Sequence, residues 1–257
     1  MRAFYEPAGG RGRFTATRST AGPWSPEHQH AGPPAALLGR ELERCDPRDG
    51  MALARLTFEI LGPIPVGEVE VEARVFRSGR SVELLEAELR AGGRAAMVAR
   101  AWRMLTADVP EALGADPAPP PLPEHAAALP PGLEDFGYGE AVELRFAAGS
   151  WTRLGPATVW TRLRVPVVDG EEPTGLQRVL AVADSGNGVS GALPLRDWLF
   201  VNPELTVHVR REASGEWICL DAETTIAPGG TALARSTLSD AEGAVAHGAQ
   251  SLYVARR

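Results

Sequence analysis

Eight prolines fall within residues 108–131: Pro110, Pro117, Pro119, Pro120, Pro121, Pro123, Pro130 and Pro131. A stretch this rich in proline cannot be regular helix or central strand, because each ring fixes φ and removes a backbone donor. It tends instead toward extended polyproline geometry. The stretch therefore predicts a linker over 108–140, dividing the chain of 257 residues into units at 1–107 and 141–257. Each unit is long enough to bury a core of its own.

The two parts share a rhythm. In the first, a helical pattern at 33–45 (PPAALLGRELERC) precedes strand-like runs at 52–61, 67–77, 80–91 and 95–105. In the second, a helical stretch at 173–184 (PTGLQRVLAVAD) precedes runs at 203–212, 216–226, 231–239 and 244–255. Turn signals recur roughly 13–15 residues apart in both. The run VEVEARV (69–75) alternates as a half-buried strand should. A helix followed by an antiparallel meander, twice over, points to an internal duplication. It is the plan of the hotdog fold, in which a sheet wraps a central helix. The expected class is α+β, a double hotdog; two unrelated α+β domains would be the plainer alternative.

Composition narrows the partners. The net charge of −7 disfavours general binding to nucleic acid or anionic membranes, so an anionic ligand would need a local basic patch. All 26 basic residues are Arg. Cys45 and Cys219 lie far apart and in no CxxC pattern, which suits unpaired thiols in a reducing compartment. The N-terminus lacks an apolar signal core, and no run approaches the ~20 apolar residues of a membrane span, so a cytoplasmic protein is expected.

Several motifs fail on their context. Gly186-Asn187-Gly188-Val189-Ser190-Gly191 has the letters of GxGxxG, but Pro194 follows closely and no βαβ unit surrounds it. The glycines fit a sharp turn after a helix better. Phe200-Val-Asn202-Pro203-Glu-Leu205 approaches the Asp-x-Asn-Pro-x-His motif of hotdog enoyl-CoA hydratases. Phe200 stands where the Asp should be and Leu205 where the His should be, so both acid–base groups are missing. His208 reads as an ordinary strand residue. His28 and His30 have no third ligand nearby and fit a solvent-exposed or helix-entry role better than a metal site. No GxSxG elbow is present. Neither cofactor nor metal is expected.

Three local contexts remain: LAVAD ending at Asp184, EWICLDAETTIA around Thr225, and HGAQSLYV around Gln250. In the first part, QHAGPPAALLGREL and VFRSGRSVELLEAELRAGGRAAMVARAW complete an ordered set. This set resembles the acyl-CoA thioesterase II family over most of residues 25–106 and 141–257. The resemblance implies a double hotdog that splits an acyl-CoA thioester with an Asp/Thr/Gln set holding water, and a hydrolase of lipid metabolism. It assigns those roles to Asp184, Thr225 and Gln250, and makes a homo-oligomer plausible. The family commonly reads Ser-Asp where this chain has Asp184-Ser185, and Glu-Gly where Ser251-Leu252 follow the glutamine. Strand parity favours Thr225 over Thr224, because Thr225 shares the polar face of its strand with Asp221 and Glu223. The helix start near Gly32 is the expected place for backbone donors facing the thioester carbonyl, with Pro33 and Pro34 lacking an N–H. A non-catalytic acyl-binding or assembly protein of the same fold is the alternative, and a hotdog hydratase a more distant one.

Overall fold

The computed structural model describes residues 3–108, 117–131 and 136–257. Of the linker prolines, Pro110 lies outside the described residues, as does Leu133, expected to anchor the stretch.

The first part runs β1 (Tyr5–Pro7), β2 (Arg13–Ala16), α1 (Gly32–Arg44), β3 (Met51–Ile60), β4 (Glu68–Arg77), β5 (Val82–Ala91) and β6 (Arg94–Leu105). The second runs α2 (Gly137–Ala141), β7 (Val142–Ser150), β8 (Arg153–Leu163), α3 (Gly175–Ala183), α4 (Gly186–Val189), β9 (Trp198–Val201), β10 (Glu204–Val209), β11 (Trp217–Ile226), β12 (Thr231–Asp240) and β13 (Gly243–Arg256). Both expected helices and all eight expected strands are present.

Spatial order makes the duplication plain. One half reads β1-β2-β4-β5-β6-β3 and the other β10-β13-β12-β11-β8-β7, so corresponding strands hold corresponding places. The halves join where β3 pairs antiparallel with β10, from Glu59 opposite Glu204 to Arg55 opposite His208. The result is one continuous antiparallel sheet with two helices against it, a double hotdog.

The helix α3 is apolar or small nearly all round, and α1 is so from Gly32 to Gly39, beyond which Arg40 is buried by pairing with Glu41 and Glu171. Gly32 to Arg40 of α1 and Leu176 to Ala183 of α3, Arg178 excepted, are almost entirely inaccessible. The helices pack on one another in opposite directions, the start of α1 meeting the end of α3. A Cβ added at Gly32 would stand 2.1 Å from the Ala181 carbonyl oxygen, so only glycine allows this approach. At the other end the Glu43 carboxylate accepts from Thr174 Oγ1 at 2.9 Å and Gln177 Nε2 at 2.9 Å.

Residues 117–131 form no helix or strand. They are held by Trp160 Nε1 donating to Pro120 O at 3.0 Å, Arg145 to Pro123 O at 2.9 Å, and Ala127 N–H to Leu144 O at 2.7 Å. Leu129 packs on the core, whereas Leu122 is exposed. Cys45 and Cys219 are both free. Among the described residues no helix is long and apolar enough to cross a membrane.

Candidate active site

Asp184 ends α3 and its side chain is turned inward, 5% exposed. Gln250, on β13, is 2% exposed and reaches the same point. Its Nε2 donates to Asp184 Oδ1 and to the Asp184 carbonyl, both at 3.1 Å. Its Oε1 accepts the Asn187 N–H at 3.1 Å. This network fixes which end of the carboxamide is which. Asp184 and Gln250 are thus brought together from a helix end and a strand 66 residues apart.

The structure supplies two partners that the sequence did not single out for the site. Asn202, just before β10, donates from Nδ2 to Asp184 Oδ1 at 2.7 Å. It belongs to the near-match discarded for lacking a hydratase's acid and base; the asparagine itself is used. His30, at the entry to α1, places Nδ1 3.4 Å from Asp184 Oδ2. Its ring stacks on Tyr138 of α2 with centroids 3.9 Å apart and planes 3° from parallel. The expected helix-entry position is right, but solvent exposure is not, since the His30 side chain is only 12% exposed. Burial lowers the His30 pKa below its usual value, against the opposing effect of Asp184, so the ring is neutral at neutral pH. Tyr138 hydrogen-bonds Ser185 Oγ at 2.8 Å and the Ala181 carbonyl at 3.0 Å. Burial raises its phenol pKa further, so it stays protonated.

Thr225 is a correction. It lies on the exposed face of β11, and its hydroxyl reaches only the Leu233 carbonyl at 3.4 Å. Parity correctly separated the two faces; the polar one is polar because it meets solvent. Thr224 points inward and hydrogen-bonds Ser190 Oγ at 2.8 Å. Ser190 Oγ in turn donates to the Gly186 carbonyl at 2.8 Å, so Thr224 supports the turn α4 from beneath.

Gly32 stands where expected, at the start of α1, but its N–H is directed to His30 Nδ1 at 3.1 Å. The GxGxxG segment forms the one-turn helix α4. Gly186 serves a close approach rather than a left-handed turn: a Cβ there would stand 3.0 Å from Gln250 Oε1.

A cavity of about 350 Å³ lies elsewhere, at the opposite end of the helix pair, lined by Leu42, Glu43, Leu53, Leu176, Val179 and Val209 among others. It contains neither Asp184 nor Gln250, and α1, with 13 residues, separates the two places by about 20 Å. Chemistry favours the Asp184 cluster over the void. Glu43 at the cavity is engaged in holding the start of α3, and Arg103 and Arg211 there are paired with Glu83 and Asp240. The Asp184 cluster gathers a carboxylate, two carboxamides and an imidazole, and meets the surface along half-buried His30, Asn187 and Asn202.

Comparison with solved structures places the fold. A conserved protein of unknown function with hot dog fold from Alicyclobacillus acidocaldarius aligns over 97% of this chain and 95% of its own, with TM-score 0.75 and 17% identity. A tesB protein of Mycobacterium avium subspecies paratuberculosis aligns over 97% and 95%, with TM-score 0.68 and 17% identity. The acyl-CoA thioesterase II TesB2 from Mycobacterium marinum aligns over 98% and 94%, with TM-score 0.66 and 16% identity. At these identities the likeness defines the class of fold, the double hotdog. No curated protein matches the chain significantly. Residues 20–104 match the model of the acyl-CoA thioesterase N-terminal domain, and residues 110–254 that of the C-terminal domain. The chain therefore belongs to the acyl-CoA thioesterase family and is a thioester hydrolase.

Proposed function

We propose that this chain hydrolyses fatty-acyl-type CoA thioesters with a water activated at Asp184. The observation that carries the reading is the division of labour at the Asp184 carboxylate. Oδ1 accepts from both Asn202 and Gln250, leaving Oδ2 without an amide donor and turned toward His30. Two fixed donors hold the carboxylate in one orientation, as a general base must be held.

A thioester carbonyl is electrophilic enough that no covalent nucleophile is needed. Asp184 Oδ2 takes a proton from water as the water oxygen attacks the carbonyl carbon. The oxyanion is stabilised by backbone donors, and collapse expels the CoA thiolate, which recovers the proton. Thr224 and Ser190 act one step away by fixing α4, and with it the Asn187 N–H that orients Gln250.

Thiol release from a series of acyl-CoA esters, followed with a thiol reagent, tests this. Steady turnover with at least one fatty-acyl ester of the series is expected. Binding without release would make the chain an acyl-binding protein, and hydration of a 2-enoyl-CoA without release would make it a hydratase.

A further inference from the structure

The first turn of α1 has little to offer a ligand. Pro33 and Pro34 have no N–H, and the Ala35 N–H is bonded to the Ala31 carbonyl at 3.0 Å. Within that turn, Gly32 alone has an N–H that could face an oxyanion, and it is held by His30 Nδ1 at 3.1 Å. The same nitrogen faces Asp184 Oδ2 at 3.4 Å. One ring nitrogen cannot serve both neighbours in one protonation state. Unprotonated, it accepts from Gly32 and confronts a carboxylate lone pair; protonated, it donates to Oδ2 and has nothing left for Gly32.

We propose that His30 is a positioning residue that receives the water proton from Asp184 Oδ2 at Nδ1 and thereby releases the Gly32 N–H to the thioester carbonyl oxygen. The inference rests on the thioesterase reading above. In balance, a water O–H bond breaks as the C–O bond forms, and the proton passes through Oδ2 to Nδ1. The carbonyl electron pair moves to oxygen, which the freed Gly32 N–H meets. Collapse restores the carbonyl and breaks the C–S bond, its electron pair leaving on sulfur. The proton then returns from Nδ1 through Oδ2 to sulfur, giving the acid and the thiol.

The surroundings suit a proton carrier. Two titratable groups face the ring: Asp184 from the end of α3, and Tyr138 stacked on it from α2. Tyr138 stays neutral, and Phe136 adds only an aromatic wall with centroids 6.3 Å away. The neutral resting imidazole has its Nδ1 lone pair engaged by the Gly32 N–H and 3.4 Å from Asp184 Oδ2, so it can exchange one partner for the other. Asp184, once protonated at Oδ2, turns the lone-pair repulsion into an O–H···N hydrogen bond.

Two measurements on the full chain test the proposal. Imidazole ¹⁵N NMR reads the resting state without any substrate. At neutral pH, Nδ1 should be the unprotonated nitrogen, and Asp184→Asn should lower the titration midpoint further by removing the group that raises it. A neutral ring protonated at Nδ1 overturns the proposal, whatever the activity. The second is the pH profile of His30→Gln, whose side chain can accept from Gly32 and donate to Asp184 but cannot carry a proton. Its kcat should fall on the order of 10²-fold with KM within about twofold, and the acid side of the pH profile should change shape, keeping only the limb set by Asp184 as the base. Unchanged kcat, or a lower kcat with the same profile, overturns it. Absence of thiol release by the wild type would instead sink the thioesterase reading, and the NMR result would still decide the state of His30.

Discussion

Asn202 Nδ2 lies 2.7 Å from Asp184 Oδ1, tying the approach to β10 to the end of α3. Replacing the amide by a carboxylate, Asn202→Asp, sets two acids side by side. Like charges at that distance disfavour ionisation of both, so the pKa of the pair rises. A base must be ionised to act, so the acid limb of kcat should move to higher pH. An unmoved pH–rate profile would show that Asn202 does not bear on the base.

Thr224 and Thr225 are adjacent, and they should respond in opposite ways. Thr225→Ala removes an exposed hydroxyl and should change stability by no more than about 0.5 kcal/mol, with turnover unaffected. Thr224→Val leaves the buried Ser190 hydroxyl short of a partner. It should cost about 1–3 kcal/mol in denaturant unfolding and slow turnover by loosening α4. Equal effects from the two would contradict the assigned faces.

Gly32→Ala forces a methyl group against the Ala181 carbonyl oxygen. The backbones of α1 and α3 must separate, at a cost of about 1–3 kcal/mol, the usual scale of overpacking. The start of α1 and Asp184 move apart at the same time, so urea unfolding and thiol release should both suffer.

Asp240 gives stability a dependence on pH. Burial alone would raise its pKa, but Arg211 at 2.6 Å, with the Ser214 and Glu242 backbone N–H groups, outweighs burial and holds it well below the usual carboxylate range. A depressed folded pKa means a contribution fully present above the unfolded value near 4, and lost as pH falls from there toward the folded value. Asp240→Asn should therefore cost about 2 kcal/mol at pH 7, the scale of a charged hydrogen bond. It should also flatten the loss of stability below pH 4. Parallel wild-type and mutant curves across that window would count against this.

Much of the fold was legible because its signals are local. The apolar faces of α1 and α3, and the alternation in strands such as β4, can be read residue by residue. β8 was missed because Gly155 and Pro156 are turn formers that here lie within a strand; β1 and β2 are too short to alternate visibly. The site was harder, since its parts meet only in three dimensions. Asp184 and Gln250 carried recognisable contexts. His30 lies in the resembling stretch QHAGPPAALLGREL, but nothing local marks it as part of the site: its burial comes from Tyr138 and its partner from α3, both over a hundred residues away. For Thr225 the pattern was read correctly but the inward side was not, because alternation cannot tell a polar site from a wet surface.

The most direct test of the account is the steady-state rate of thiol release from an acyl-CoA by the wild type and by Asp184→Asn. The substitution keeps the size of the side chain and removes its charge. A fall in kcat on the order of 10²-fold or more is expected, with acyl-CoA binding retained. An Asp184→Asn protein that folds and turns over at the wild-type rate would contradict it.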